Sequence, residues 1–227
     1  MLTKFGAIVT DGRGKLGSFY MSRNHYGTFL AEWSVPFNPQ TGFQQARRAA
    51  QAFLSNNWHN LSDSQQREWI AETANYPRVN SIGNAYTLTG QTLYISLNLN
   101  LWQIGIAYID APVTKNIPGG LGPFAIDVKQ SSLSFDISPL IPFVDANSLY
   151  IVFATSGLSA GIFVVTTKYR SMSVITPDGS ISYSLGLAYW TLFPTTITGS
   201  KVFCKIVPID FNCGCAGVEF STSAIVI

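Results

Sequence analysis

Thr10–Ser18 reads TDGRGKLGS, and its Gly12, Gly14 and Gly17 satisfy the pattern G-x-G-x-x-G. That pattern signals a dinucleotide only where a strand leads into it and a helix leaves it, because the pyrophosphate rests on the helix N-terminus. Phe5–Thr10, FGAIVT, reads as the strand. The residues after the glycines do not read as a helix. Phe19 and Met21 alternate with Tyr20 and Ser22, and after the turn residues Asn24 and Gly27 a second alternation sets Phe29, Ala31 and Trp33 against Thr28, Leu30 and Glu32. A period of two rich in aromatic residues predicts antiparallel strands, with the glycines shaping turns where positive φ is needed. Nor is Gly14-Lys15 a P-loop, because Leu16 stands where a Ser or Thr would hold magnesium.

Outward from this ribbon the period changes. Pro36 and Pro39 break the strand, and Thr41 is placed to cap a helix whose apolar stripe runs through Phe43, Ala46, Ala50, Phe53, Leu54 and Trp58. In LSDSQQREWIAETANYP, Ser62 and Gln65 form a capping box, Asp63 suits the positive end of the helix dipole, and Pro77 ends the element. The two helices predict an αα-hairpin in which Trp58 and Trp69 stack into one small core, with Gln66, Trp69, Ile70 and Thr73 on the inner face. A third helix is expected from about Thr89 to Gln103, stopped by Gly105. The Pro- and Gly-rich run from Asp110 to Phe124 predicts a linker. Beyond it, AIDVKQSSLSFDIS, SLYIVFATSG, GIFVVTTKYR, SISYSLGLAYWTLF, KVFCKIVPIDF and VEFSTSAIVI read as strands punctuated by turns, which predicts an antiparallel sandwich.

The expected fold class is therefore α+β. A β-hairpin arm (1–36) is followed by a small helical module (37–109), a linker (110–124) and a β-sandwich (125–227).

Composition narrows the function classes. Charged residues make up 11% of the 227 residues, against about 25% in typical domains, which points to surface covered by other subunits. A net charge of +2 leaves no bulk footprint for nucleic acid. The helical hairpin carries Arg47, Arg48 and Arg67, but Asp63, Glu68 and Glu72 on its second helix would repel phosphate, so a small packed module is expected rather than a DNA reader. No apolar run reaches the roughly 18 residues of a membrane span, and the N-terminal apolar run is too short for a signal peptide, so synthesis in a cytoplasm is expected. Cys204, Cys213 and Cys215 lack zinc-site spacing and read as buried free thiols. His25 in a turn and His59 between helices sit in no hydrolase motif, and Asp136, Asp145, Asp178 and Asp210 fall at strand ends and turns, where Asp closes local hydrogen bonds. No catalytic residue, cofactor or metal is expected.

The C-terminal KVFCKIVPIDFNCGCAGVEFSTSAIVI resembles the last two strands of a fibronectin type III-like domain. The segments GRGKLG, SRNHYGTFLAEWSVPFNPQT, QQARRAAQAFLSNNWHNLSDSQQREWI and TGQTLYISLNLNLWQIG, in that order, resemble a family encoded among the virion structural genes of tailed bacteriophages. The resemblance implies a non-enzymatic virion component assembled in the host cytoplasm and present in many copies. The leading expectation is a capsid auxiliary (decoration) protein docked on the major capsid protein, and the next is a ring or adaptor piece of the head-to-tail or tail assembly bound to tail or portal subunits. Aromatic and Arg-type residues anchor interfaces, so Arg13, Lys15, Tyr20, Arg23, Tyr26, Phe29 and Trp33 are the expected docking residues. A different class, a host-surface carbohydrate-binding module, would use exposed Tyr189 and Trp190 to stack on sugars.

Overall fold

Two residues, Gly17 and Ser18, turn β1 (Gly14–Leu16) back into β2 (Phe19–Asn24), with Leu16 paired to Phe19 and Gly17 at φ 60°. β3 (Gly27–Glu32) completes an antiparallel sheet in the order β1-β2-β3. Gly17 therefore opens a strand and not a helix, and the phosphate-cradle geometry is missing there. These strands belong to a computed structural model that describes residues 14–24, 27–33, 38, 40–79, 85–119, 122–140, 143, 145–166 and 168–227. Gly12 lies outside the described residues.

The chain divides into two units, Met1–Gln45 and Ala46–Ile227. Helix α1 (Gly42–Trp58) starts in the first with a reciprocal cap: the Gln44 amide donates to Thr41 Oγ1 at 3.4 Å, and the Thr41 amide to Gln44 Oε1 at 3.3 Å. Helix α2 (Asp63–Glu72) repeats the device. The Gln65 amide donates to Ser62 Oγ at 3.4 Å, and the Ser62 amide to Gln65 Oε1 at 2.9 Å. Ser62→Ala removes one of these bonds and is expected to lower unfolding free energy by about 1 kcal/mol, read as a shift in the urea midpoint at constant slope.

Thr89 caps α3 (Gly90–Gln103) by accepting from the Thr92 amide at 3.2 Å. The helix ends in a Schellman motif. Gly105, at φ 77°, donates to the Trp102 carbonyl at 3.0 Å, and Ile106 donates to the Leu101 carbonyl at 2.9 Å. Two asparagines of α3 hold irregular chain against it. Buried Asn98 accepts from the Ile109 amide at 2.7 Å and donates to the Ile109 and Tyr94 carbonyls, while Asn100 donates to the Gly214 carbonyl at 2.9 Å. Between α2 and α3, β4 (Arg78–Val79) and β5 (Ala85–Tyr86) form a short antiparallel pair. Residues 110–119 carry no helix or strand, yet Asp110 accepts from Trp69 Nε1 at 2.8 Å and Lys115 donates to the Asn75 carbonyl at 2.6 Å.

The remaining strands are β6 (Phe124–Lys129), β7 (Ser134–Pro139), β8 (Ser148–Ala154), β9 (Arg170–Ile175), β10 (Tyr183–Ser184), β11 (Lys201–Asp210) and β12 (Phe220–Ile225). They form one antiparallel sheet in the order β10-β7-β6 and another in the order β12-β11-β8-β9. Ile126, Val128, Phe135 and Ile137 from the first meet Tyr150, Val152, Cys204 and Ile206 from the second in one core. Three strands facing four in this order make a fibronectin type III-like sandwich, so the chain is α+β. Ile227 exchanges hydrogen bonds with Val128 and Gln130 and ties the two sheets along one side. The other face of the four-stranded sheet is covered as well: Ile151 and Ile209 pack under Leu101 of α3 and Ile104 just after it. Burial on both faces is why β8 reads as the unbroken apolar run LYIVFA.

Two expectations are corrected. YSLGLAYWTLF is not a strand throughout, because after β10 it forms helix α4 (Gly186–Leu192). Tyr189 and Phe193, one turn apart, point into the core, and a Cβ on Gly186 would stand 2.4 Å from the Leu133 carbonyl oxygen, so glycine lets the helix start there. In GIFVVTTKYR the described residues before Arg170 form no strand either. β9 begins at Arg170, opposite Ala154 at the end of β8, and upstream of it Phe163 and Val164 are exposed with no ladder partner. Trp58 and Trp69 do join one small core, but through the Tyr94 ring of α3, which lies against both at 5.7 and 5.4 Å between centroids, rather than ring on ring.

Candidate interaction surfaces

Register decides which arm residues share a face. Lys15 pairs with Tyr20, Tyr20 with Ala31, and Ser22 with Phe29. Side chains alternate along strands, so Lys15, Tyr20, Phe29 and Trp33 fall on one side of the sheet. Tyr20 and Phe29 meet edge to face at 6.1 Å, and Lys15 Nζ sits 3.9 Å above the Trp33 ring. An exposed cation–π contact of this kind contributes about 0.5–1 kcal/mol. Trp33 stays 48% exposed and Tyr20 36%, and none of the arm's described residues is buried. The structure thus brings together four of the seven expected docking residues. Arg13, Tyr26 and the side chain of Arg23 lie outside the described residues.

Tyr189 is corrected as a ligand-stacking residue. Its ring has no exposed surface, stacks on Phe135 at 4.6 Å, and donates to the Thr155 carbonyl at 3.2 Å, with Thr196 Oγ1 a further 3.1 Å partner. Burial pushes its hydroxyl pKa up to about 12. Trp190 is half-buried, edge-on to Tyr189 at 5.3 Å, and packs against the same core. On a helix these two neighbours diverge by about 100°, so they offer no joint platform for a sugar.

An apolar groove of about 490 Å³ that the sequence did not disclose lies between α1 and α3, lined by Ala50, Phe53, Trp102, Ile106 and Tyr108. Phe53 and Tyr108 meet at 5.4 Å on its edge and are 51% and 44% exposed. The α1 stripe is thereby split. Leu54 and Trp58 enter the core, while Phe43 and Phe53 do not.

Three of the aspartates have structural partners. Asp145 accepts from the Asn147 amide and Ser148 Oγ, Asp178 from the Ser180 amide and Tyr183 hydroxyl, and Asp210 from the Asn212 and Cys213 amides. These bonds hold the exposed Asp178 carboxyl below its ordinary range. His59 is exposed in the turn after α1, and His25 lies outside the described residues. All three cysteines are free and buried. Among the described residues, no group of three or more His, Cys, Asp or Glu side chains could hold a metal, and no helix is long and apolar enough to cross a membrane.

No protein-family model matches the chain, and no curated protein sequence does. Among solved structures, the chain is similar to the crystal structure of a Fn3-like protein from Clostridium thermocellum, at 14% identity and a TM-score of 0.31, over 48% of this chain and 92% of that one.

Proposed function

We propose that the chain is a non-enzymatic structural component of a tailed-phage virion, a capsid auxiliary protein that docks on the major capsid protein through its N-terminal arm. The observation that carries this reading is the aromatic face of the arm: Tyr20, Phe29 and Trp33, with Lys15 over the Trp33 ring, on a three-stranded sheet with no buried side chain among its described residues. A small sheet in water gains little stability from such rings, whereas rings and cations of this type dominate subunit contacts once desolvated. The low charged fraction and the order of sequence motifs in the N-terminal half support the same reading.

Copy number tests it. Quantitative mass spectrometry of particles from the phage that encodes the chain is expected to find hundreds of copies per virion, in a ratio set by capsid symmetry. Six or twelve copies would move the protein to the tail or portal region, and absence from washed particles would sink the proposal. Tyr20→Ala with Trp33→Ala is expected to weaken particle binding by about thirtyfold or more, taking about 2 kcal/mol for an interface anchor. The unfolding free energy should fall by only about 1–2.5 kcal/mol, the loss of the Lys15–Trp33 and Tyr20–Phe29 contacts, because neither ring is in a core.

A further inference from the structure

The turn after β11 reads Cys213-Gly214-Cys215 and lies against the helices. Gly214 has φ 71°, and a Cβ there would stand 2.4 Å from the Leu97 carbonyl oxygen, so the residue between the two cysteines has to be glycine. Buried Asp210 closes the turn by accepting from the Asn212 and Cys213 amides at 2.8 and 3.0 Å, while Asn116 donates to its other oxygen. Each thiol has polar neighbours. The Cys215 amide donates to Cys213 Sγ at 3.3 Å, Cys213 Sγ lies 3.3 Å from the Asn116 carbonyl, and the Tyr76 hydroxyl stands 3.1 Å from Cys215 Sγ.

Cys215 also lines a cleft of about 420 Å³ whose walls include Arg47, Arg78 and Lys115. Reactive thiols are found in electropositive surroundings with hydrogen-bond donors to the thiolate, and inert ones in apolar cores. Cys204 and Cys215 are both buried, but Cys215 borders this cleft with its cationic walls. Cys204 is sealed in the sandwich core, where burial alone pushes its thiol up. Hydrogen bonds from Cys213 and Tyr76 instead lower the Cys215 thiol, against the opposing effects of burial and the Asp210 charge, and Cys213 and Tyr76 are raised in turn. Glu72 also faces Tyr76, and Lys115 Nζ lies 4.7 Å over its ring.

We propose that Cys213 and Cys215 form a redox-active dithiol that exchanges with anionic low-molecular-weight disulfides entering the cleft beside Tyr76. The Cys215 thiolate attacks one sulfur of the incoming disulfide, whose S–S bond breaks as a new one forms to Cys215, and one thiolate leaves and takes up a proton. Cys213 then loses its proton to solvent and attacks Cys215 Sγ, expelling the second thiolate. The protein dithiol is oxidised to a disulfide and the small disulfide is reduced to two thiols. The arginines and the lysine suit carboxylates on the incoming molecule. This inference does not depend on the virion assignment.

The test uses the full, reduced chain and oxidised glutathione at neutral pH, with acid quenching and peptide mapping by mass spectrometry. The expected product is a Cys213–Cys215 disulfide with two glutathione thiols released per chain and Cys204 untouched. Cys213→Ser should accumulate a mixed disulfide on Cys215, whereas Cys215→Ser should not accumulate one on Cys213. Tyr76→Phe keeps the ring but removes the donor, so the pH midpoint for alkylation of Cys215 by iodoacetamide should move upward. A folded protein in which Cys213 and Cys215 react no faster than Cys204 overturns the proposal. An unmodified Cys215 in a Cys213→Ser chain with unchanged circular dichroism overturns it equally. If that variant does not fold, the disulfide map of the unsubstituted chain decides.

Discussion

Trp69→Ala is expected to lower the unfolding free energy by about 3–5 kcal/mol, the range for truncating a large aromatic residue in a core. Trp69 has no exposed surface, meets Tyr94 edge to face at 5.4 Å, and donates its indole hydrogen to the Asp110 carbonyl at 2.8 Å. Truncation therefore opens a cavity at the meeting point of α2 and α3 and leaves a carbonyl of the following segment without its donor. Phe53→Ala is the contrast. That ring is 51% exposed and touches Tyr108, so its loss should cost no more than about 1.5 kcal/mol, the value of an aromatic pair. Urea unfolding followed by circular dichroism separates the two. Similar midpoints for both variants would mean that α2 is not held by the Trp69–Tyr94 contact.

Elements bounded by local chemistry were legible in the sequence. The Ser62–Gln65 box and the Gly105 stop announce the start of α2 and the end of α3 because each signal is a hydrogen bond or a backbone conformation completed within a few residues. The ribbon at Gly14–Trp33 was legible for the same reason, since alternation and turn glycines are local. What escaped depends on distant partners. α4 spans seven residues, too few for a helical period to stand out, and its placement rests on the Leu133 carbonyl. The stripe on α1 has the right period, yet a period cannot say whether a neighbour exists to cover Phe53.

The candidate sites divide along the same line. Alternation places Phe29 and Trp33 on one face, whereas the register that brings Tyr20 to Phe29 comes only from the strand pairing. Tyr189 and Trp190 carry the right chemistry for stacking on a sugar, but only the tertiary fold shows that Phe135, Thr155 and Thr196 already occupy Tyr189. Three buried free thiols were readable from cysteine spacing. That Tyr76 would meet Cys215 across 139 residues was not, since nothing near either position signals the other.

Gly214→Ala carries the other large effect, and it tests whether helices and sandwich unfold together. Cys213 and Cys215 lie in the same core as Trp58, Trp69 and Tyr94, and Asn100 of α3 donates to the Gly214 carbonyl. A methyl group at Gly214 would force a left-handed conformation on a residue with a side chain, at about 1–3 kcal/mol, and would press on the Leu97 carbonyl from 2.4 Å, adding about 1–3 kcal/mol of overpacking. The expected total is roughly 2–6 kcal/mol. Gly179→Ala supplies the control. Its φ is 76°, but nothing lies within 4 Å of the added Cβ, so only the backbone cost of about 1–2 kcal/mol should appear. The difference between the two variants measures the contact between the Cys-Gly-Cys turn and α3. Because that contact belongs to a core shared by both parts, near-UV signals from the helices' tryptophans and far-UV signals from the strands should fall at one lowered urea midpoint. Two separated transitions in Gly214→Ala would show that the helices and the sandwich hold their structure independently, and the shared core would then contribute little to either.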